Sequence, residues 1–243
     1  MKEIIFSDKF VKFNSKNTIL IVKNFVKKDE CYKIIDKFHA YKKKKVKKVT
    51  RIIPGKSKDW HSTDNLNSVS ALYKRRRVRN NFTANLWSKR SFGEKKYLIK
   101  MEKELSKIYG LKKRNIWNVN DLYFIQGYVC HYPRGGGYIG PHSDVTFNVR
   151  NMTAIMLLSE KGKDYYSGGL KVKLNKKYIN LDDHMEAGDV VVFNNTKRHK
   201  VDCIDPNIKK ISFKSPKGRW MMITTVQRNY NIDPRRYSVT NQY

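Results

Sequence analysis

The chain has 243 residues and carries 52 Lys and Arg against 21 Asp and Glu, a formal net charge of +31. A chain of this length buries one substantial core, and β-sandwiches and barrels of this size commonly form one domain. The charge predicts either anionic partners or lysines scattered over solvated faces, and it leaves the fold open. No apolar run reaches the length of a membrane span or a signal peptide. Cys31, Cys130 and Cys203 lie far apart without a CxxC pair, so we expect a cytoplasmic protein.

The first half of the chain reads as a lead-in of residues 1–119 that packs on a catalytic core of residues 120–243, the two forming one integrated domain. Residues 17–25 are rich in β-branched side chains and predict a strand. Residues 27–41 and 94–109 place apolar side chains at helical spacing. These stripes comprise Cys31, Ile34, Ile35 and Phe38 in the first helix, and Leu98, Met101, Leu105 and Ile108 in the second.

The segment between the two predicted helices is the hardest to interpret. Residues 42–92 contain basic clusters, including KRRRVR at 74–79, and isolated large aromatic residues. Arg75, Arg76, Arg77 and Arg79 either contact an anionic group or form a solvated charge run, which is the more common outcome.

Short apolar runs separated by Gly, Asn, Asp and Pro begin after Asn120. There are eight of them: LYFIQGYVCHY, YIGPHSDV, TAIMLLS, GGLKVKL, KYINL, GDVVVFN, HKVDCI and GRWMMITTV. Many short strands at this spacing are typical of an all-β sandwich and not of alternating β and α units. The sequence therefore predicts a mainly β protein with flanking helices and a double-stranded β-helix, or jelly-roll, core.

Two histidines and one aspartate form the candidate metal site. His142 and Asp144 stand two apart at the end of a predicted strand, where the two-residue period places both side chains on one face. His199 opens a later strand that a jelly roll can bring opposite the first. Two imidazoles and one carboxylate on one side of an octahedral iron leave positions open for other ligands.

These residues stand in an ordered series that resembles the 2-oxoglutarate/Fe(II)-dependent dioxygenase superfamily over about residues 120–228. The series comprises Tyr132 ten before His142, the HxD pair, the strand, loop and Gly-Gly strand at 153–172, the AGDVVVFNNTKRHKV run at 187–201, and Gly218-Arg219 opening the last strand. Five features in the family's order are far more specific than the HxD pair alone.

The resemblance implies an oxygenase that uses Fe(II), 2-oxoglutarate and O₂, and releases succinate and CO₂. His142, Asp144 and His199 would bind the iron. Arg219 would hold the distal carboxylate of 2-oxoglutarate, because a planar guanidinium makes bidentate, charge-assisted pairs. Tyr132 would donate its hydroxyl to the same carboxylate.

Two departures from the family pattern concern the 2-oxoglutarate anchor. Many members carry a Ser two residues after the arginine, where this chain has Met221, and Thr153 is the proposed substitute. Lys209 stands at the family's usual distance from the distal histidine, while Arg219 is farther along. Arg219 is favoured because it opens an apolar strand, whereas Lys209 follows Pro206 in a polar loop.

Other classes of protein stay open at this point. A cupin-like module that binds zinc or sugar without redox chemistry has no need of a buried carboxylate anchor. An oxygenase acting on nucleic acid or protein is a further alternative, although no RNA- or DNA-binding motif is present. The charge favours an anionic small molecule or glycan-like substrate, with no membrane span.

Overall fold

The computed structural model describes residues 3–41, 60–64, 77–85, 95–109, 123–144 and 151–228. Its strands are β1 (Ile4–Ser7), β2 (Ile19–Val22), β3 (Trp60–Asp64), β4 (Arg77–Asn85), β5 (Tyr123–Pro133), β6 (Gly137–His142), β7 (Met152–Leu157), β8 (Gly169–Leu174), β9 (Lys177–Asn180), β10 (Val190–Asn194), β11 (His199–Ile204) and β12 (Gly218–Arg228). The helices are α1 (Lys28–Tyr41) and α2 (Lys95–Tyr109), and Leu181–Asp183 forms one turn of 3₁₀ helix. Among these residues no helix combines the length and apolarity that crossing a membrane requires.

The strands form one strongly curled sheet in the order β1-β2-β10-β7-β12-β5-β4-β6-β11-β8-β9, with β3 on the free edge of β4. β12 and β5 pair antiparallel over their full lengths. β4 pairs with β5 in one layer and with β6 in the other, so it joins the two layers. A sheet folded on itself in this way is the jelly roll that the sequence predicts.

Each side of β12 faces a different part of the core. Trp220 and Met222 pack in the cluster that also holds the buried stripes of α1 and α2. Met221 and Ile223 alternate with them and face the second cluster, between the two layers. Both helices therefore cover the outer face of one layer, and the space between the layers is left for the side chains of the strands.

The predicted elements are largely confirmed. All eight apolar runs after Asn120 form strands, and both helices occur within one residue of their predicted bounds. The lead-in contributes more strands than the sequence predicts, because β1, β3 and β4 also join the sheet. The predicted division at residue 119 lies outside the described residues.

Gly188, in the loop before β10, gives a stability prediction. Its φ is +97°, and an added Cβ would overlap the carbonyl oxygen of Val26, whose own N–H donates to Gly188. We expect Gly188→Ala to lower the free energy of unfolding by roughly 2 kcal/mol or more, since it adds a backbone clash to an unfavourable φ. Urea denaturation measures this loss.

Gly162 supplies the matched control. Its φ is +90°, but an added Cβ would meet no atom within 4 Å. Gly162→Ala therefore isolates the cost of the positive φ, about 1 kcal/mol. Equal losses in the two variants would contradict the clash with Val26.

Candidate metal centre

The strand pairing brings the three predicted metal ligands together. His142 ends β6 and His199 begins β11, and the two residues are direct partners across this antiparallel pair. Asp144 follows two residues after His142, and its N–H donates to the carbonyl of Asn195, 2.9 Å away. The loop after β10 thus fixes the backbone that carries the carboxylate.

The ligand atoms of these side chains converge on one point. Asp144 Oδ2 lies 3.6 Å from His199 Nε2, and Asp144 Oδ1 lies 3.9 Å from His142 Nε2. All three candidate ligand atoms fall within 4.8 Å of one another. Ligands bound at about 2.1 Å and at right angles lie roughly 3 Å apart, so a contraction of up to about 2 Å between ligand atoms would complete the site.

Backbone carbonyls set the orientation of both imidazoles. His142 Nδ1 lies 2.7 Å from the carbonyl of Gly140, and His199 Nδ1 lies 2.9 Å from the carbonyl of Lys197. A carbonyl only accepts, so each Nδ1 carries a proton, and Nε2, the ring nitrogen nearer to Asp144, is the one that could bind a metal. Such a hydrogen bond on the second ring nitrogen is the usual support of a metal-binding histidine.

The candidate metal site is partly shielded from solvent. The ring of Phe193 meets that of His199 edge-on at 5.3 Å, and both residues are buried, while the Asp144 side chain is 32% exposed. Thr153 lies directly opposite Phe193 in the β7–β10 pair, so it shares the face between the layers. Its buried hydroxyl has no hydrogen-bond partner within the part of the chain that the structure describes.

Arg219 lies deep in the molecule, as expected for an anchor. Its side chain is fully buried, and its guanidinium makes a bidentate pair with Asp182, with distances of 2.6 Å from Nε and 3.0 Å from Nη2. Tyr165 donates its hydroxyl to the same carboxylate at 2.6 Å. Burial opposes the charge of Arg219, but Asp182 outweighs it and raises the pKa of the guanidinium. Burial, together with Asp182, raises the pKa of Tyr165.

Tyr132 is the cross-strand partner of Arg219, and both side chains point between the layers. The guanidinium carbon of Arg219 lies 6.0 Å from the centre of the Tyr132 ring. Burial raises the pKa of the Tyr132 hydroxyl, so the group is neutral and able to donate. Lys209, by contrast, is exposed in the loop before β12.

The hydrogen-bond partners around Arg219 were not predicted from the sequence. Asp182 belongs to a short turn, LDDH, that reads as a solvated loop, and Tyr165 lies in the loop before the Gly-Gly strand. The one available signal is Gly169, where an added Cβ would come 2.7 Å from Asp182 Oδ2. The second glycine of that strand therefore makes room for the carboxylate that pairs with Arg219.

Solved structures with a similar fold include a prolyl hydroxylase and a candidate oxygenase. The chain is similar to a crystal structure of a prolyl-4-hydroxylase from Pseudomonas putida, with 13% identity, a TM-score of 0.53, and coverage of 87% of this chain and 93% of that one. It is also similar to a candidate oxygenase from Shewanella oneidensis, with 11% identity, a TM-score of 0.53, and coverage of 93% and 87%. No protein-family model and no curated protein matches the sequence. At these identities the likeness establishes the fold, which is the jelly roll of these proteins.

Proposed function

We propose that the chain is an Fe(II)- and 2-oxoglutarate-dependent oxygenase that hydroxylates an anionic substrate and releases succinate and CO₂. The observation that carries this proposal is the convergence of His142 Nε2, His199 Nε2 and a carboxylate oxygen of Asp144 where β6 pairs with β11. Two imidazoles and one carboxylate are the ligand set of non-haem Fe(II) oxygenases.

The chain's own residues would hold the cofactors in the following way. His142, Asp144 and His199 would bind Fe(II), which with 2-oxoglutarate and O₂ would supply the oxidising power. The carbonyls behind each Nδ1 keep both imidazoles in the tautomer that binds a metal through Nε2. The intact Asp144 favours hydroxylation over halogenation, whose enzymes lack the carboxylate ligand.

Three further residues would receive 2-oxoglutarate. Arg219 and Tyr132 would face its distal carboxylate from the floor of the space between the layers. Thr153 offers a buried hydroxyl that bonds to none of the described residues, which fits a position beside a polar ligand. A ligand held by these groups would be kept from bulk water, where charge-assisted hydrogen bonds are weaker.

The proposed substrate class rests on charge. A net charge of +31 attracts anionic molecules from solution, and a small molecule or a glycan-like chain fits that preference. Nucleic acid and protein substrates are the competing outcomes of a substrate screen scored on succinate release.

The test of the proposed function is a titration of 2-oxoglutarate into the Fe(II)-loaded protein without oxygen. We expect a metal-to-ligand charge-transfer band with one-to-one stoichiometry, and slow release of succinate once air is admitted. A chelator added before air should abolish that release, because the donors are few and partly exposed. Iron binding without any effect of 2-oxoglutarate would favour the non-redox metal-binding module instead.

A further inference from the structure

Two arginines of the basic run at 74–79 lie on β4, in the wall of the jelly roll. Arg77 and Arg79 stand two apart, so they point to the same side of the strand. Their side chains are only 28% and 16% exposed. This end of the run is therefore not the solvated charge cluster that the sequence favours.

Both arginines share one counter-ion. Asp64, the cross-strand partner of Arg79 on β3, lies 2.7 Å from Arg77 Nε and 3.5 Å from Arg79 Nε. The shorter contact pairs Asp64 with Arg77. Among the described residues, the nearest carboxylate to Arg79 is this more distant one, and a mostly buried charge is costly without a closer anion.

Arg79 faces the space between the layers. Its Nη1 lies 3.4 Å from the Sγ of Cys130, whose side chain belongs to the cluster between the layers. In the β4–β5 pair, Asn80 is the partner of His131 and Asn81 that of Cys130, which places Arg79 across from Tyr132. Tyr132 thus has an arginine on each side, Arg79 from β4 and Arg219 from β12.

The two arginines differ in what their guanidinium groups have left to offer. Arg219 donates from Nε and Nη2 to Asp182. Its Nη1 donates to the Sδ of Met221, a weak acceptor, at 3.2 Å. The Arg219–Asp182 pair is neutral as a unit. A second carboxylate placed against this pair alone would bury one uncompensated negative charge.

The charges around Tyr132 add to one positive unit. Arg77, Arg79 and Arg219 contribute three positive charges, and Asp64 and Asp182 contribute two negative ones. One carboxylate would neutralise the set. The proposed cosubstrate brings one carboxylate to this region, since its other carboxylate would be at the metal.

We propose that Arg79 is a second cationic contact for the distal carboxylate of 2-oxoglutarate, opposite Arg219 across Tyr132. This inference rests on the proposed function and names a side chain of the lead-in as part of the cosubstrate site. The carboxylate accepts from Arg79, from the Tyr132 hydroxyl and from the free edge of Arg219. Because Asp182 neutralises the charge of Arg219, Arg79 supplies the positive charge that the carboxylate needs.

The test compares two ligands that differ in that carboxylate. Anaerobic calorimetry on the Mn(II)-loaded protein measures Kd for 2-oxoglutarate and for 2-oxobutyrate, which keeps the metal-binding end but lacks the distal carboxylate. We expect Arg79→Gln to raise Kd for 2-oxoglutarate about tenfold or more, which corresponds to about 1.4 kcal/mol. Kd for 2-oxobutyrate should stay unchanged.

Arg134→Gln is the matched control, because Arg134 is likewise only partly exposed and paired with one aspartate, Asp205, but lies in the turn after β5 and outside the set of charges counted around Tyr132. It should change neither Kd by more than about threefold. Arg79→Lys, which keeps the charge and loses the planar fork, should fall between the wild type and Arg79→Gln. Arg79→Lys also serves as the test variant if Arg79→Gln does not fold. The supporting result is then a raised Kd for 2-oxoglutarate with an unchanged Kd for 2-oxobutyrate.

Two results would overturn the inference in distinguishable ways. If the Arg79 variants keep the wild-type ratio of Kd for 2-oxoglutarate to Kd for 2-oxobutyrate, another group holds the distal carboxylate. The proposed function would then be unaffected. Failure of the wild-type protein to bind 2-oxoglutarate at all would remove the proposed function and this inference with it.

Discussion

We expect His199→Ala to lose Fe(II) binding almost completely, with an affinity at least about a hundredfold lower than that of the wild type. His199 contributes one of the two imidazoles that the described residues bring to the candidate site, and replacing even a residue behind a metal ligand typically costs ten- to a hundredfold. The two remaining ligands, His142 and Asp144, would hold the ion as an exposed pair. Equilibrium dialysis of Fe(II) without oxygen measures the loss.

The control for His199→Ala is a histidine outside the site. His184 is exposed in the turn after the 3₁₀ helix, with its ring 6.4 Å from that of Phe6. His184→Ala should keep one iron per chain, and circular dichroism should show both variants folded. Stoichiometric iron in His199→Ala would mean that the site lies elsewhere.

The convergence of the three candidate metal ligands was predictable because their placement depends on local rules. The two-residue period of a strand decides that His142 and Asp144 share a face, and the order of strands in a jelly roll brings His199 opposite them. Burial of Arg219 follows from the same alternation, given an apolar strand around it. Neither inference needs knowledge of a partner distant in sequence.

The ion pairs around Arg219 and Arg79 were not predictable, since they join residues that are far apart in the chain. Asp182 meets Arg219 across 37 residues. The periodic pattern of apolar residues predicts buried faces of strands and helices, but it cannot predict that one isolated carboxylate is buried. Asp182 therefore reads as a solvated turn residue until the tertiary structure is known.

Strand β4 was not predicted from the sequence, because its charged side chains point into the molecule and not toward solvent. Val78, Asn80 and Phe82 are buried on one side, while Arg77 and Arg79 point to the other. A strand usually places its apolar face toward the core and its charges toward water. Here polar side chains line the space between the layers, so the alternation reads as a disordered basic run.

We expect Arg219→Ala to lower the free energy of unfolding by about 3–5 kcal/mol, because it leaves the fully buried Asp182 carboxylate without its cation. The same variant should bind 2-oxoglutarate about a hundredfold more weakly or worse, since each 1.4 kcal/mol is a factor of ten. A single variant cannot separate the two effects. A weakened fold alone would also weaken binding of a ligand.

The double variant Arg219→Met with Asp182→Leu separates them. Replacing a buried ion pair by apolar residues of similar volume is often neutral or stabilising, so most of the lost stability should return. Binding of 2-oxoglutarate should stay weaker than in the wild type, because Arg219, one of the two cations proposed to face its distal carboxylate, is still missing. Lys209→Ala, in the exposed loop, should change neither quantity. Urea denaturation and the anaerobic 2-oxoglutarate titration decide the matter: a stable double variant that binds 2-oxoglutarate normally would show that Arg219 and Asp182 serve only the fold.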